Sequence, residues 1–183
     1  MATPAIPAPL AQLPNALTLA RLAVIPVFVV LMIAAGDAHS WPAGILFGAA
    51  GITDQIDGFL ARRWHVESRF GKIADPLADR LMIDAAVILL VVYGRLPWAA
   101  LAVIAARDLL LLAGWRVLAP RGLEIDVNLL GKGATWLLYA AIGFRIVTHD
   151  ATEWPLWVFW IGLGAAVAAA MLYVRSAWRL IRQ

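Results

Sequence analysis

The sequence predicts an all-α integral membrane protein of six transmembrane helices, with the N- and C-termini cytoplasmic. Three observations carry that expectation. Of the 183 residues, 63% are hydrophobic and 15% charged, and the mean hydropathy is +0.81; a soluble domain runs nearer half apolar and a quarter charged. The apolar residues gather into six stretches, each near the roughly 20 residues that a helix needs to cross hydrocarbon. Helix is also the open-chain structure that satisfies its own backbone there. The cations, finally, fall on alternate connections, which sets orientation. The same composition excludes intrinsic disorder. A net charge of +3 is too small and too scattered for a nucleic-acid surface, and the absence of cysteine excludes disulfides and thiolate metal sites.

Residues 1–14 contain Pro4, Pro7, Pro9 and Pro14 but no Lys or Arg. They read as an irregular lead-in on the membrane surface and not as a secretory signal, which has a basic start. Residues 15–183 then form a single domain. The first span is expected over about 17–35, closed by Gly36 and Asp37, and the second over about 41–62. The third covers about 71–93 and stops at Gly94; the fourth covers about 97–118, before Pro120 and Gly122. The fifth and sixth cover about 129–147 and 154–178. All but two of the 15 Lys and Arg lie at or near one side of this layout, the exceptions being Arg95 and Arg145. That side is expected to be the cytoplasm. Trp41, Trp98 and Trp154 at the outer ends, with Trp64, Trp115 and Trp178 near the inner ends, make the expected aromatic belts. Gly162, Gly164, Ala165, Ala166, Ala168 and Ala169 in the sixth span suit close helix packing. His39, His65 and His149 are scattered in or near connections and suggest no metal site.

The second and third spans are wrong for plain anchors, because they hold Asp54, Asp57, Asp75 and Asp79. An Asp at a helix centre costs roughly 2.5–3.5 kcal/mol on insertion scales, so four cost on the order of 10 kcal/mol if deep. Asp54 and Asp57 share one helix face, as do Asp75 and Asp79. The two helices run antiparallel across a short connection, and at about 1.5 Å per residue Asp54 and Asp79 both sit roughly 12 Å from it. Asp57 and Asp75 match at a shallower level. Four carboxylates at matched depths repel unless cations join them, and hard oxygen donors select Mg²⁺ or Mn²⁺ over zinc. Asp–Arg pairing with Arg62, Arg63 and Arg80 is an alternative, but it leaves the matched depths unexplained. Gly58 and Ala61 continue the stripe and leave room for a ligand, and Arg62 beside them suits phosphate oxygens.

The string Asp54-x2-Asp57-Gly58-x2-Ala61-Arg62-x8-Gly71-x3-Asp75-x3-Asp79 resembles the signature of the CDP-alcohol phosphotransferases, with every position filled. "LPNALTLARLAVIP", with Asn15, Thr18, Arg21 and Pro26, resembles the first helix of the phosphatidylglycerophosphate synthases in that family. "ARDLLL" with Arg107 and "LGKGAT" with Lys132 resemble later segments. The resemblance implies a six-helix CDP-alcohol phosphotransferase domain, usually a homodimer, in the inner membrane with its site open to the cytoplasm. By position it implies Asp54, Asp57 and Asp75 as ligands of two Mg²⁺ or Mn²⁺ ions. Asp79 completes the metal site and acts as general base, and Gly58, Ala61, Arg62 and Gly71 hold the CDP moiety of CDP-diacylglycerol.

The acceptor is read from the remaining cations. Arg21, Arg107, Arg116 and Lys132 lie on the cytoplasmic half, and such a set favours an acceptor bearing phosphate. Glycerol 3-phosphate is expected first. The second lysine usual in phosphatidylglycerophosphate synthases is replaced here by Ala134, a form that also resembles the family's cardiolipin synthases, whose acceptor is phosphatidylglycerol. A small transporter with intramembrane carboxylates is the competing class, but its acids are expected near the midplane. Asp108 is expected to pair with Arg107 or Arg80, and Asp84 with Arg80.

Overall fold

A computed structural model describes the backbone of residues 8–64, 69–118, 129–149 and 151–181, and side chains within them except 8–18, 54–64, 69–77, 79, 111–112, 114–115, 117–118, 129, 177 and 179–181. The described residues form six helices and no strand: α1 (Ala8–Ala34), α2 (Trp41–Trp64), α3 (Arg69–Val92), α4 (Trp98–Leu118), α5 (Leu129–Val147) and α6 (Trp154–Ile181). Five begin within two residues of the expected positions. The exception is α1, which starts at Ala8 and so takes in half of the lead-in expected to be irregular. Pro9 falls in its first turn, where a missing N–H costs nothing, and Pro14 removes one intrahelical bond without ending the helix.

α1 packs on α2 and α3, α2 on α5, α5 along α6, α6 on α4, and α4 on α3. These contacts close a ring of six helices, and α3 also touches α5 and α2 across it. Phe28 of α1, Phe47 of α2 and Tyr139 of α5 stack in sequence, with ring centroids 5.8 and 4.5 Å apart. Met32, Met82, Leu90, Ile142 and Phe159 are fully or almost fully buried around them. Gly51 lies flat against the Tyr139 ring, and a Cβ there would overlap it. Gly162 meets Leu137 and the backbone of Leu138 at 3.1 Å from its ideal Cβ position, so it packs within the chain against α5, whereas Gly164 meets open space.

Three connections meet at one end. α1 and α3 stop at Gly36 and Gly94, both at positive φ (76° and 72°), where glycine carries no Cβ penalty. After Gly94 the Arg95 N–H donates to Leu90 O at 2.7 Å, which closes the turn. Arg95 is buried and its guanidinium donates to Ala38 O at 2.8 Å and to Thr148 O. Arg145 Nε donates to Arg95 O at 3.0 Å and its NH1 to Thr152 O at 2.9 Å. Ser40 N–H donates to Ile146 O at 3.0 Å, and His39 Nε2 to Val147 O at 3.1 Å, with the His39 ring tilted against His149 at a centroid distance of 4.3 Å. The Asp37 carboxylate accepts from the His39 N–H at 2.9 Å, and this bond holds its pKa below the ordinary aspartate value. The two cations set apart by position thus tie the α1–α2, α3–α4 and α5–α6 connections to one another. Trp41, Trp98 and Trp154, the first residues of α2, α4 and α6, stand exposed at this same end. His65 lies outside the described residues, and the side chain of Trp64 outside the described side chains.

One described helix, over Trp154–Ser176, is long and apolar enough to cross a membrane by length and composition, and Leu19–Ala34 and Trp41–Thr53 are shorter apolar stretches. Large apolar side chains stand exposed on every helix with described side chains, among them Val30, Ile45, Val92, Leu109, Phe144 and Ile161. Water-soluble monomers rarely expose so continuous an apolar surface.

Gly51→Ala should lower unfolding free energy by about 1–3 kcal/mol, because the Tyr139 ring must shift. Gly48→Ala, which meets open space, should be neutral or gain up to about 1 kcal/mol from helix propensity. Thermal unfolding of the two variants in detergent, side by side, checks both.

Candidate functional site

The paired connections fix which ends of the helices lie together. Since 36–40, 93–97 and 148–153 share one end, the C-terminal halves of α2 and α4 and the N-terminal halves of α1, α3 and α5 share the other. Asp54 and Asp57 lie on α2 about 20 Å or more along the axis from Trp41, and Asp75 and Asp79 lie on α3 at least about 20 Å from Val92. The backbone at all four is helical, so the i,i+3 and i,i+4 spacings hold, and α2 packs on α3. Their side chains lie outside the described residues, as do those of Gly58, Ala61, Arg62 and Gly71.

The same half of the bundle holds a cavity of about 140 Å³ between α3, α4, α5 and α6. Its polar wall is Arg80, Asp84, Arg107, Asp108 and Thr135, over an apolar floor that includes Ile104 and Leu138. Arg80 and Asp84 share a face of α3 by their spacing of four. Arg80 nevertheless pairs with Asp108 of α4, NH1 to Oδ1 at 3.1 Å. The same Oδ1 accepts from Arg107 NH1 at 2.9 Å. The expected Arg80–Asp84 pair therefore gives way to one across helices, and both pairings expected for Asp108 form together. Arg107 Nε is buried and has no hydrogen-bond partner among the described residues. Thr135 turns its hydroxyl back to Gly131 O at 3.0 Å, as Thr does on a helix.

Of the four cations expected at an acceptor, Arg107 alone lines this cavity. Arg21 is 3% exposed on α1. Lys132, in the first turn of α5, and Arg116, in the last turn of α4, are exposed. Ala134, at the place of the usual second lysine, is 1% exposed and packed in the core. Sequence reasoning did not place Asp84 and Thr135 at a common cavity. The Arg80-x3-Asp84 and Lys132-x2-Thr135 spacings set their own helix faces but not which helix lies opposite. Among the described residues no three His, Asp or Glu come together as a metal site; the side chains of Asp54, Asp57, Asp75 and Asp79 are not among those described.

A sequence profile of the CDP-alcohol phosphatidyltransferase family matches residues 11–172, and the chain belongs to that family. Among curated relatives, it is 36% identical to the CDP-diacylglycerol–glycerol-3-phosphate 3-phosphatidyltransferase of Bacillus subtilis (strain 168), over 93% of this chain and 97% of that one. Proteins of the same name from Escherichia coli (strain K12) and Shigella flexneri serotype 5b are each 29% identical, over 93% of this chain and 92% of theirs.

A double-mutant cycle of Arg80→Gln and Asp108→Asn should show a coupling on the order of 1 kcal/mol in unfolding free energy, modest because the Arg80 side chain is 42% exposed. Additive effects in that cycle would mean that the pair between α3 and α4 does not form.

Proposed function

We propose that the protein transfers the phosphatidyl group of CDP-diacylglycerol to the hydroxyl of glycerol 3-phosphate, releasing CMP and forming phosphatidylglycerophosphate for phospholipid biosynthesis. One observation carries the reading. The complete Asp54–Asp79 string lies on two packed helices, in a chain alike over nine-tenths of its length to relatives named for this reaction. The chain acts as six membrane spans in the inner membrane, with both termini and the site on the cytoplasmic side. The exposed apolar girdle and the gathering of the cations at the end opposite Arg95 and Arg145 support this topology. Residues 15–183 serve as one CDP-alcohol phosphotransferase domain, working as a homodimer as the family resemblance implies.

The donor set suits two divalent cations, Mg²⁺ or Mn²⁺. Four carboxylates on adjacent helices offer hard oxygen ligands, and the chain has no thiolate to favour a softer metal. Asp54, Asp57, Asp75 and Asp79 hold the ions, whose chemistry is to neutralise charge on the diphosphate as it breaks. Arg62, with Gly58, Ala61 and Gly71 leaving room beside it, grips the CDP moiety. Asp79 takes the proton of the acceptor hydroxyl as its oxygen bonds to the lipid-side phosphorus. The phosphorus–oxygen bond to CMP breaks, and CMP leaves with the electron pair. Arg107, lining the polar cavity, holds the acceptor phosphate, with Arg21, Arg116 and Lys132 on the approach. The relatives' name favours glycerol 3-phosphate over phosphatidylglycerol as acceptor.

Purified protein in detergent should release CMP from CDP-diacylglycerol when given glycerol 3-phosphate and Mg²⁺, and EDTA should abolish release. Release with phosphatidylglycerol alone would assign the cardiolipin reaction instead, and metal-independent release would remove the carboxylate site from the mechanism. Asp79→Asn should cut turnover by roughly 10²–10⁴-fold, the range for loss of a general base, while its thermal unfolding stays near wild type. Unchanged turnover would exclude Asp79 as base.

A further inference from the structure

The Asp108 carboxylate stands between two guanidinium groups. Its Oδ1 accepts from Arg107 NH1 at 2.9 Å and forms an ion pair with Arg80 NH1 at 3.1 Å. The first bond joins neighbours on α4, and the second crosses to α3, where Arg80 directly follows Asp79. Successive residues of a helix do not face one another, so the Arg107 side chain folds back to reach its neighbour. That fold-back selects one conformation from the many open to a long arginine. It brings the guanidinium to the same carboxylate oxygen that holds Arg80.

The cavity wall makes this placement matter. It carries two arginines and two aspartates, Asp84 being the second, so its formal charge balances to zero. Net charge therefore does not draw an anion in. What favours a phosphate is a guanidinium presented to it while the carboxylates are already engaged. Asp108 supplies the first by orienting Arg107 and meets the second for its own charge, which two cations share; Asp84 forms no ion pair among the described residues. Arg107 Nε, buried and without a hydrogen-bond partner among the described residues, shows that Asp108 leaves part of the fork unused.

We propose that Asp108 is a positioning residue for the acceptor end of the site. Its carboxylate fixes the Arg107 guanidinium at the cavity and ties α4 to α3 one residue beyond Asp79. This inference rests on the reading above in which Arg107 holds the acceptor phosphate.

The test is CMP release by the full-length protein in detergent, titrated separately with glycerol 3-phosphate and with CDP-diacylglycerol. The wild type is compared with Asp108→Asn, Asp108→Glu, Arg80→Gln and Arg107→Gln. Asp108→Asn should raise KM for glycerol 3-phosphate about tenfold or more, the size of a lost charge-assisted hydrogen bond, and move KM for CDP-diacylglycerol by less than about twofold. Asp108→Glu should recover most of that loss. A fall in kcat with both KM values unmoved, or no recovery by glutamate, would mark a merely structural role and overturn the proposal. Arg107→Gln separates this proposal from the reading beneath it. If that variant keeps the wild-type KM for glycerol 3-phosphate, the role of Arg107 fails and Asp108 falls with it. If it raises KM and Asp108→Asn does not, the positioning role alone is overturned. Should Asp108→Asn not fold, Arg80→Gln decides, because it cuts the tie to α3 and leaves the Arg107–Asp108 bond. A selective rise in KM for glycerol 3-phosphate then supports the proposal, and an unmoved KM overturns it.

Discussion

Charge is expensive inside an apolar bundle, and the arrangement of this molecule follows from how each buried charge is met. At the connected end, the Arg95 and Arg145 guanidiniums are surrounded by backbone carbonyls of Ala38, Thr148, Arg95 and Thr152. Carbonyl dipoles oppose the charge without introducing a second one, so the neighbouring side chains can stay apolar. In the cavity on the other half, the charges are met by opposite charges, with Arg80 and Arg107 sharing Asp108. On the proposed reading, divalent cations meet the four carboxylates of α2 and α3. Each solution suits its place. Carbonyl contacts make a fixed structural knot, whereas paired side chains and cation-dependent carboxylates respond to an arriving ligand.

The helices are consequently divided along their length. The stacked Phe28–Phe47–Tyr139 column, together with Met32, Leu90, Ile142 and Ile146, fills the half next to the knotted connections. Close approach at Gly51 and Gly162 draws α2 and α6 against α5. Dense packing of that kind transmits a displacement rather than absorbing it. A bundle clamped at one end holds its helices at fixed angles toward the other, where two substrates have to meet at one depth. Precise placement of reacting groups matters to a transfer in which proximity supplies much of the rate. The clamp therefore serves the proposed chemistry without touching it.

Much of this was legible in the sequence. The turn-forming residues Gly36 and Gly94 and the apolar runs that follow each of them located α2 to α6 closely, because breakers and hydrophobic period act locally. The start of α1 was misjudged on its prolines, since a proline near a helix start costs little. Arg95 and Arg145 are exceptions to the charge pattern, but three of their bonds run across 50 or more positions of chain to carbonyls, which carry no side-chain signature. Within the candidate site, spacing gave the faces of α2 and α3 that carry Asp54, Asp57, Asp75 and Asp79. It left Arg80 with either Asp84 or Asp108, because an i,i+4 rule knows only its own helix. The choice of Asp108 over Asp84 depends on how α4 lies against α3, a fact of packing.

That choice bears on how an acceptor site can arise on this frame. Had Arg80 paired with Asp84, both would have been settled on α3, leaving Arg107 and Asp108 to each other on α4. The cavity would then have been lined by two closed pairs, with no connection between the helix that carries Asp79 and the one that carries Arg107. Sharing Asp108 instead leaves a cation on each helix joined through one carboxylate, and it leaves Asp84 facing the same space. A phosphate approaching Arg107 acts through that carboxylate on Arg80, next in the chain to the proposed base. On the proposed reading, the network thereby joins the group that recognises the acceptor to the helix that deprotonates it. It does so with one shared carboxylate, hydrogen-bonded to Arg107 and ion-paired with Arg80.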